Sequence, residues 1–424
     1  MAAETTKPSN VTAGPTAELG PVAAMFRSLR YRDFAFFWTG NFLSNIGTWM
    51  QNLALGWLVL ELTNSPFWLG LNGFLGTAPS LVFSLPGGAI ADRLNRRTLM
   101  IITQTIMMLL ALILAILTSF RIARIQEILI IGFLTGLASA LNNPAYQAIV
   151  PDLVKPEDLT NAVALNSAQF NMSRTIGPTL AGLTLGSLGA AGCFYLNTVS
   201  FLPLIIALLA IRVPTHSASQ GESVWGAMLD GVRYVGRNRV LLLLLSVPAT
   251  LSLLGLPFVV LMPVFARDLV KVGPSGLGYL MAGAGFGAVA SALTLASQAH
   301  LQPRRQFILG CAATFSLGLI LLATVSSFWW SFLLLVVLGG TMVGTLSLTN
   351  STLQATAPPE YRGRIMSMYN LAVIGISPVG SLQAGAVAEA LGVRTALALG
   401  GGVCLAYFLV LLAMRPGARL AIRE

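Results

Sequence analysis

The chain reads as an all-α membrane protein: twelve transmembrane helices forming two pseudo-symmetric six-helix bundles. Three observations lead there. Of its 424 residues 55% are hydrophobic and only 9% charged, too few charges to cover a water-facing surface, so the outer face has to meet lipid. Apolar stretches of about the 20 residues that a bilayer core requires fall six and six around one polar segment. The basic residues segregate to one side when the loops are numbered in order. No run of alternating ten-residue strands appears, which argues against a β-barrel.

Residues 1–25 are rich in Ala, Thr, Pro and Glu and lack an apolar h-region. They read as a disordered cytoplasmic tail, not a signal peptide. The first bundle covers 26–212, with spans at 34–61, 66–90, 98–119, 125–149, 161–187 and 190–211. A cytoplasmic linker, 213–239, follows. Within it Val224, Met228, Val232 and Val235 recur at helical spacing, flanked by Trp225 and Tyr234. That pattern predicts a short amphipathic helix on the inner leaflet; a plain linker is the alternative. The second bundle covers 240–415, with spans at 240–266, 275–298, 306–326, 328–354, 363–389 and 393–414. Residues 416–424 form a second cytoplasmic tail. Cys193, Cys311 and Cys404 lie within or at the ends of spans; their odd number and spacing point to neither a disulfide framework nor a metal site.

A net charge of +10 invites a nucleic-acid reading, but its distribution excludes one. With the N-terminus inside, Arg121, Arg124, Arg267, Lys271 and Arg394 face outward, Arg174 lies within a span, and the remaining Lys and Arg face the cytoplasm. This is the positive-inside bias, and it places both termini in the cytoplasm.

The halves echo one another. Ile176-Gly177-Pro178 matches Ile376-Ser377-Pro378 at an offset that also pairs Ser167 with Ser367 and Gly192 with Gly392. Pro156-Glu157 likewise matches Pro359-Glu360. Internal repeats of this kind let one bundle rock against the other around a site near mid-membrane.

The most specific motif is Gly87-Gly88-Ala89-Ile90-Ala91-Asp92-Arg93-Leu94-Asn95-Arg96-Arg97, between spans 2 and 3. The glycines allow a tight turn beside another helix, and the arginines hold the loop inside. The run resembles the signature loop of the major facilitator superfamily, with Asn95 where that family usually has Gly; Asn tolerates the left-handed backbone better than other non-Gly residues. Arg174-Thr175-Ile176-Gly177-Pro178-Thr179-Leu180-Ala181-Gly182 is similar to the Gly-Pro signature of span 5 in the superfamily's antiporting exporters, with Ala181 for one glycine. Ser44 to Gln51, Leu62 to Pro66, and Asn143-Pro144-Ala145 through to Ser167 resemble the enterobactin-exporter-like branch, which also contains drug and macrolide exporters. The resemblance covers residues 26–415.

The resemblance implies a conformational latch: Gly88, Asp92 and Arg93 in the loop, with Asp92 engaging the start of span 11 near Arg362 and Arg364, and Asp152 engaging Arg96 or Arg97. It also implies that Gly177, Pro178, Gly182 and Pro378 mark an antiporter-type kink, since proline removes a helix hydrogen bond. Span 1 lines the central cavity in this superfamily, so Asn41, Asn45, Thr48 and Asn52 are expected to face substrate, or else to bond neighbouring helices.

Arg174 stands apart. It lies roughly 20 Å along its helix, at 1.5 Å per residue, hence at mid-membrane. A charge there costs on the order of 2.5–3.5 kcal/mol on insertion scales. Ser167, Asn171, Arg174 and Pro178 make one stripe, read either as an anion-attracting or proton-coupling cavity wall or as an arginine bonded to carbonyls. Span 7, almost wholly apolar from Leu241 to Leu256, forms an apolar wall opposite. Glycines in spans 2 and 8 read as close packing. No carboxylate lies clearly at mid-membrane; Asp92, Glu61 and Glu389 are the candidates for carrying a proton.

Together these readings predict an inner-membrane secondary transporter that exports amphiphilic small molecules of drug or siderophore type, by proton-coupled antiport and as a monomer. A lysophospholipid or other lipid carrier, and a non-transporting sensor or scaffold, are the alternatives. An enzyme or nucleotide-driven pump is not expected: there is no Ser-His-Asp set and no phosphate-binding Gly-Lys loop, and no cofactor is implied.

Overall fold

Hydrocarbon offers the backbone no hydrogen-bond partner, so a chain of this composition has to satisfy its peptide groups inside helices. The computed structural model describes residues 26–83, 95–211, 233–297, 305–358 and 360–414, and helices are the regular structure among them. The first are α1 (Arg32–Thr63), α2 (Pro66–Phe83), α3 (Arg96–Ser119) and α4 (Ile125–Ile149). The next helical run, Leu159–Ala210, is broken at Gly189, whose φ of 67° and ψ of −174° no helix adopts. It is therefore α5 (159–188) and α6 (190–210). Then come α7 (Arg239–Val270), α8 (Pro274–Ser297), α9 (Arg305–Thr324), α10 (Phe328–Thr356), α11 (Arg362–Leu391) and α12 (Val393–Ala413).

Among the described residues nine helical stretches are long and apolar enough to cross a membrane. The broken run Pro156–Ala210 counts once in that set, and α1 and α2 fall outside it. Those two carry Asn41, Asn45, Gln51, Asn52 and Asn72 among their apolar residues. With the break and these two included, the helices follow the order of the predicted spans. Their ends agree within a few residues, and α4 coincides with its prediction. The predicted end of span 2 and most of the linker lie outside the described residues. At the linker's end Val235 is buried, and Tyr234 stacks on Tyr361 at 4.1 Å between ring centroids.

The repeat needs one correction. The pair Gly192 and Gly392 is not structurally equivalent, because Gly192 lies inside α6. Gly392, with φ of 84°, turns the chain between α11 and α12 as Gly189 does between α5 and α6. Both adopt a backbone that only glycine takes readily.

The two halves, α1–α6 and α7–α12, meet along two helix pairs. A Cβ on Gly182 of α5 would stand 2.7 Å from the Gly278 Cα of α8, and one on Gly70 of α2 would stand 2.8 Å from the Gly385 Cα of α11. Side chains are absent where the backbones touch, the usual means of close helix association in lipid.

Two arginines close the repeat at the end bearing the α4–α5 loop. Arg97, at the start of α3, donates to the Leu208 and Leu209 carbonyls at the end of α6. Arg305, at the start of α9, donates to the Leu411 and Met414 carbonyls at the end of α12. Each places a cation on the negative end of a helix dipole. The same end holds a clasp around Asp158, which is 2% exposed. Arg27 Nε pairs with Asp158 Oδ1 at 2.6 Å, Tyr31 Oη donates to Asp158 Oδ2 at 2.7 Å, and Ser28 N donates to Asn161 Oδ1 at 2.9 Å. The bond to Asp158, above all, holds the Tyr31 phenol above its ordinary value near 10.

The helices of the second half are less regular than hydropathy implied. In α7, Leu251–Gly255 and Phe265–Val270 are π-turns, and Leu371–Gly375 is another in α11. Pro248, Pro257 and Pro263 interrupt the α7 ladder, and a wider turn takes up part of that mismatch. The α7 and α11 turns touch where Ser252 Oγ donates to the Val373 carbonyl at 2.9 Å.

Candidate functional site

The polar residues of α1 do not act as one stripe. Asn41 is 7% exposed and donates to Gln169 Oε1 at 3.0 Å and Tyr146 Oη at 3.2 Å, so it faces into the first half and not a cavity. Its neighbour in the pattern, Ser44, is buried, and Gln51 accepts from Asn197 at 2.7 Å. A buried amide needs partners of this kind. Thr48 donates to the Ser44 carbonyl of its own helix. Asn45 is partly buried and Asn52 exposed. One turn beyond Asn52, a Cβ on Gly56 would lie 3.2 Å from Pro263 of α7. Asn52 therefore sits just below the point where α1 meets the second half.

The decisive pattern is on α5. Val163, Ser167, Phe170, Arg174, Pro178 and Ala181 recur every three or four residues and share one face. Val163, Ser167 and Phe170 are exposed, Arg174 is partly buried, and Pro178 and Ala181 are buried. On α11 the same order holds: Gly363, Ser367, Asn370 and Ile374 are exposed, whereas Pro378, Ser381 and Gly385 are buried. The halves are thus closed from the level of Arg174 and Ile374 to the end bearing the α1–α2 loop, and parted towards the α4–α5 loop.

Hydrogen bonds between the halves cluster at the closed end. Glu389 Oε2 accepts from Ser65 Oγ at 2.7 Å and from the Phe67 N–H at 3.3 Å. Arg267 Nη2 donates to Asn64 Oδ1 at 2.6 Å, while its Nε pairs with Asp268. Asn64 ends α1 in the left-handed conformation, with φ of 51°, which turns its amide towards α7. Ser275 Oγ donates to the Gly182 carbonyl at 3.0 Å. Glu61 is exposed and accepts from Trp57 Nε1 at 2.6 Å.

Arg174 lies halfway between the start of α5 and Gly189. Among the described residues it has no ion pair, hydrogen bond or aromatic face, and no ionised side chain acts on it. One turn before it, Phe170 meets Trp49 of α1 edge-on at 5.9 Å. Asn171 donates to the Ser167 carbonyl and Ser167 to the Val163 carbonyl, both within α5. Gly177 and Gly182 serve different partners: a Cβ on Gly177 would lie 2.5 Å from Trp49 Cβ, whereas Gly182 packs on α8. The helix continues through Pro178. In α11, Pro378 instead follows the π-turn at the start of a new α-helical stretch.

Of the predicted latch, Gly88, Asp92 and Arg93 lie outside the described residues. Arg96 Nη1 pairs with Asp152 Oδ2 at 3.1 Å, while Arg97 turns to α6. Arg362 is exposed at the start of α11, and the Arg364 guanidinium lies 5.6 Å from the Tyr361 ring centre. The sequence reading passed over Gln147 on α4 and over Ser351 and Gln354 on α10, all exposed polar side chains on membrane-crossing helices. Ser347, Ser351 and Gln354 repeat at helical spacing, a signal available in the sequence. Arg267 gave none, since its partner Asn64 is on another helix.

A helical membrane protein in which two halves meet at one end and part at the other has the architecture of an alternating-access transporter. The chain belongs to the transmembrane secretion effector family of the major facilitator superfamily, whose model matches residues 23–419. It is similar to the staphyloferrin A transporter of Staphylococcus aureus (26% identical over 373 residues, covering 84% of this chain and 90% of that protein). It is also similar to the multidrug efflux pump Tap of Mycolicibacterium fortuitum (25%, covering 83% and 88%) and macrolide efflux protein A of Streptococcus pyogenes (22%, covering 87% and 93%). In fold it resembles a bacterial homologue of the human lysosomal transporter Spinster (TM-score 0.70, 16% identity, covering 91% of this chain and 95% of that one). The nucleoside transporter NupG has the same fold (TM-score 0.69, 14% identity, covering 90% and 100%). The protein is an integral membrane transporter, not an enzyme.

Proposed function

We propose that the protein exports amphiphilic small molecules of drug or siderophore type across the bacterial inner membrane, as a monomer with both termini in the cytoplasm. The observation that carries this reading is the change of exposure at Arg174 on α5 and Ile374 on α11. With the positive-inside orientation, the parted end faces the cytoplasm and this conformation is inward-facing. Cargo enters between the halves from inside. It meets Ser167, Asn171, Phe170, Trp49, Asn45 and Asn52 on one wall and the apolar α7 on the other. Such lining suits a molecule with one polar and one apolar part. The relatives named for staphyloferrin A, multiple drugs and macrolides support export of that class.

Release outward requires the closed end to open, so Ser65 and the Phe67 N–H must leave Glu389, and Asn64 must leave Arg267. A carboxylate accepts both bonds to Glu389; a protonated one is a poorer acceptor. Protonation of Glu389 from outside would therefore favour opening, which ties proton entry to the outward-facing state. Glu61, beside the same gate, and Asp92 are the other candidates. The cytoplasmic loop carrying Asp92 would hold the opposite state.

The test is flux in proteoliposomes of the purified chain under an imposed pH gradient, with an anionic amphiphilic fluorescent dye, a catecholate siderophore and a fluorescent lysophospholipid in parallel. Gradient-driven movement of the dye or the siderophore is the expected result. Movement of the lysolipid alone would make the protein a lipid carrier, and binding without movement of any of them would leave the sensor reading.

A further inference from the structure

Resting on the exporter reading, we propose that Arg174 is a specificity determinant: the cargo carries one anionic group, a carboxylate or sulfonate, that docks on this guanidinium at the apex of the cavity. Arg174 shares its face of α5 with exposed residues on one side and buried ones on the other, so it stands where the two halves close. Among the described residues nothing pairs with it. Every other arginine with a described partner sits near a helix end. Arg27 and Arg96 have carboxylates, Arg97 and Arg305 have helix carbonyls, and Arg267 has Asp268 and Asn64.

A partly buried guanidinium with no partner among the described residues keeps its donors free for a ligand, and a planar carboxylate or sulfonate matches them. With no partner among the described residues, the cargo supplies one. The internal repeat places Ile374 opposite, so among the described residues the apex offers one positive charge and no second. A dianion would find half its charge unmatched. Beside Arg174 the Phe170 and Trp49 rings meet edge-on and offer an apolar surface to the rest of the molecule. Asn45, one turn before Trp49, supplies a neutral hydrogen-bonding group. The arrangement selects an amphiphilic monoanion over its neutral or cationic analogue.

The test compares dansylglycine with its uncharged amide, dansylglycinamide, by fluorescence titration of the full chain in lipid nanodiscs. The intact protein should bind the acid more tightly than the amide. Arg174→Gln should weaken the acid about tenfold or more, as loss of a charge-assisted bond predicts, and leave the amide nearly unchanged; Arg174→Lys should keep most of the preference. Absence of an acid-over-amide preference in the intact protein overturns the proposal, with no need for a folded variant. So does an equal loss of both probes in Arg174→Gln, which marks a structural role. The titration reads charge selectivity without flux. Failure of the exporter reading, in which nothing moves down a gradient, is therefore a separate result.

Discussion

Asn41 and Asn52 are the same residue type on the same helix, and the structure gives them opposite surroundings. Eleven positions separate them, close to three helical turns at 3.6 residues each, so periodicity alone puts them on one face. What separates them is their neighbours: Gln169 and Tyr146 enclose Asn41, whereas Asn52 is exposed. The role of Glu389 was equally dependent on neighbours. Its bonds to Ser65 and Phe67 join residues from opposite halves, so Glu389→Gln should keep the gate closed through its amide oxygen while removing the proton site proposed there. Transport against pH should flatten in that variant, and an unchanged pH profile would move proton coupling to another carboxylate. Asp158 has a structural task. Asp158→Ala removes the Tyr31 hydrogen bond and the Arg27 ion pair and should lower the melting temperature in detergent. The Tyr31 phenol is raised in the folded chain, so its bond contributes fully below its ordinary value near 10 and is lost only as pH climbs through the raised value. The clasp is therefore intact at neutral pH.

At the scale of elements, the glycine pairs set how near α5 and α8, and α2 and α11, can approach. Gly278→Leu should force α8 away from α5 and abolish transport, whereas Gly310→Ala, where a Cβ meets nothing within 4 Å, should leave flux within about twofold, the range expected of a harmless substitution. Equal loss from both changes would mean that helix propensity, not approach, is what matters. The spans themselves were legible because burial in lipid is a local demand: each needs its own run of apolar residues. The π-turns of α7 were not. Three prolines in a span announce disturbance, but whether the ladder kinks, breaks or widens depends on the helix packed against it. Here Ser252 reaches the Val373 carbonyl of a second π-turn. The arginine caps were hidden for the same reason. Arg97 and Arg305 look like topological charges in a loop, and only folding brings them to the ends of α6 and α12.

For the whole molecule, the closed end is the feature most open to a direct test. In a background with Cys193, Cys311 and Cys404 replaced by Ala, Ser65→Cys with Glu389→Cys should crosslink on oxidation and stop transport reversibly. Ser167→Cys should meanwhile remain accessible to an impermeant thiol reagent applied from the cytoplasmic side of inverted vesicles. A crosslinked protein that still turns over would show that this end need not open. The sequence by itself determined the solvent of the chain, the order of its helices and the family it resembles. These depend on composition and on patterns a few residues long. Only the tertiary structure decided which polar side chains were consumed within a bundle, where the halves part, and that Arg174 stands at that boundary with no partner among the described residues. Those properties belong to pairs of residues far apart in the chain, and a single helix carries no record of which neighbour will face it.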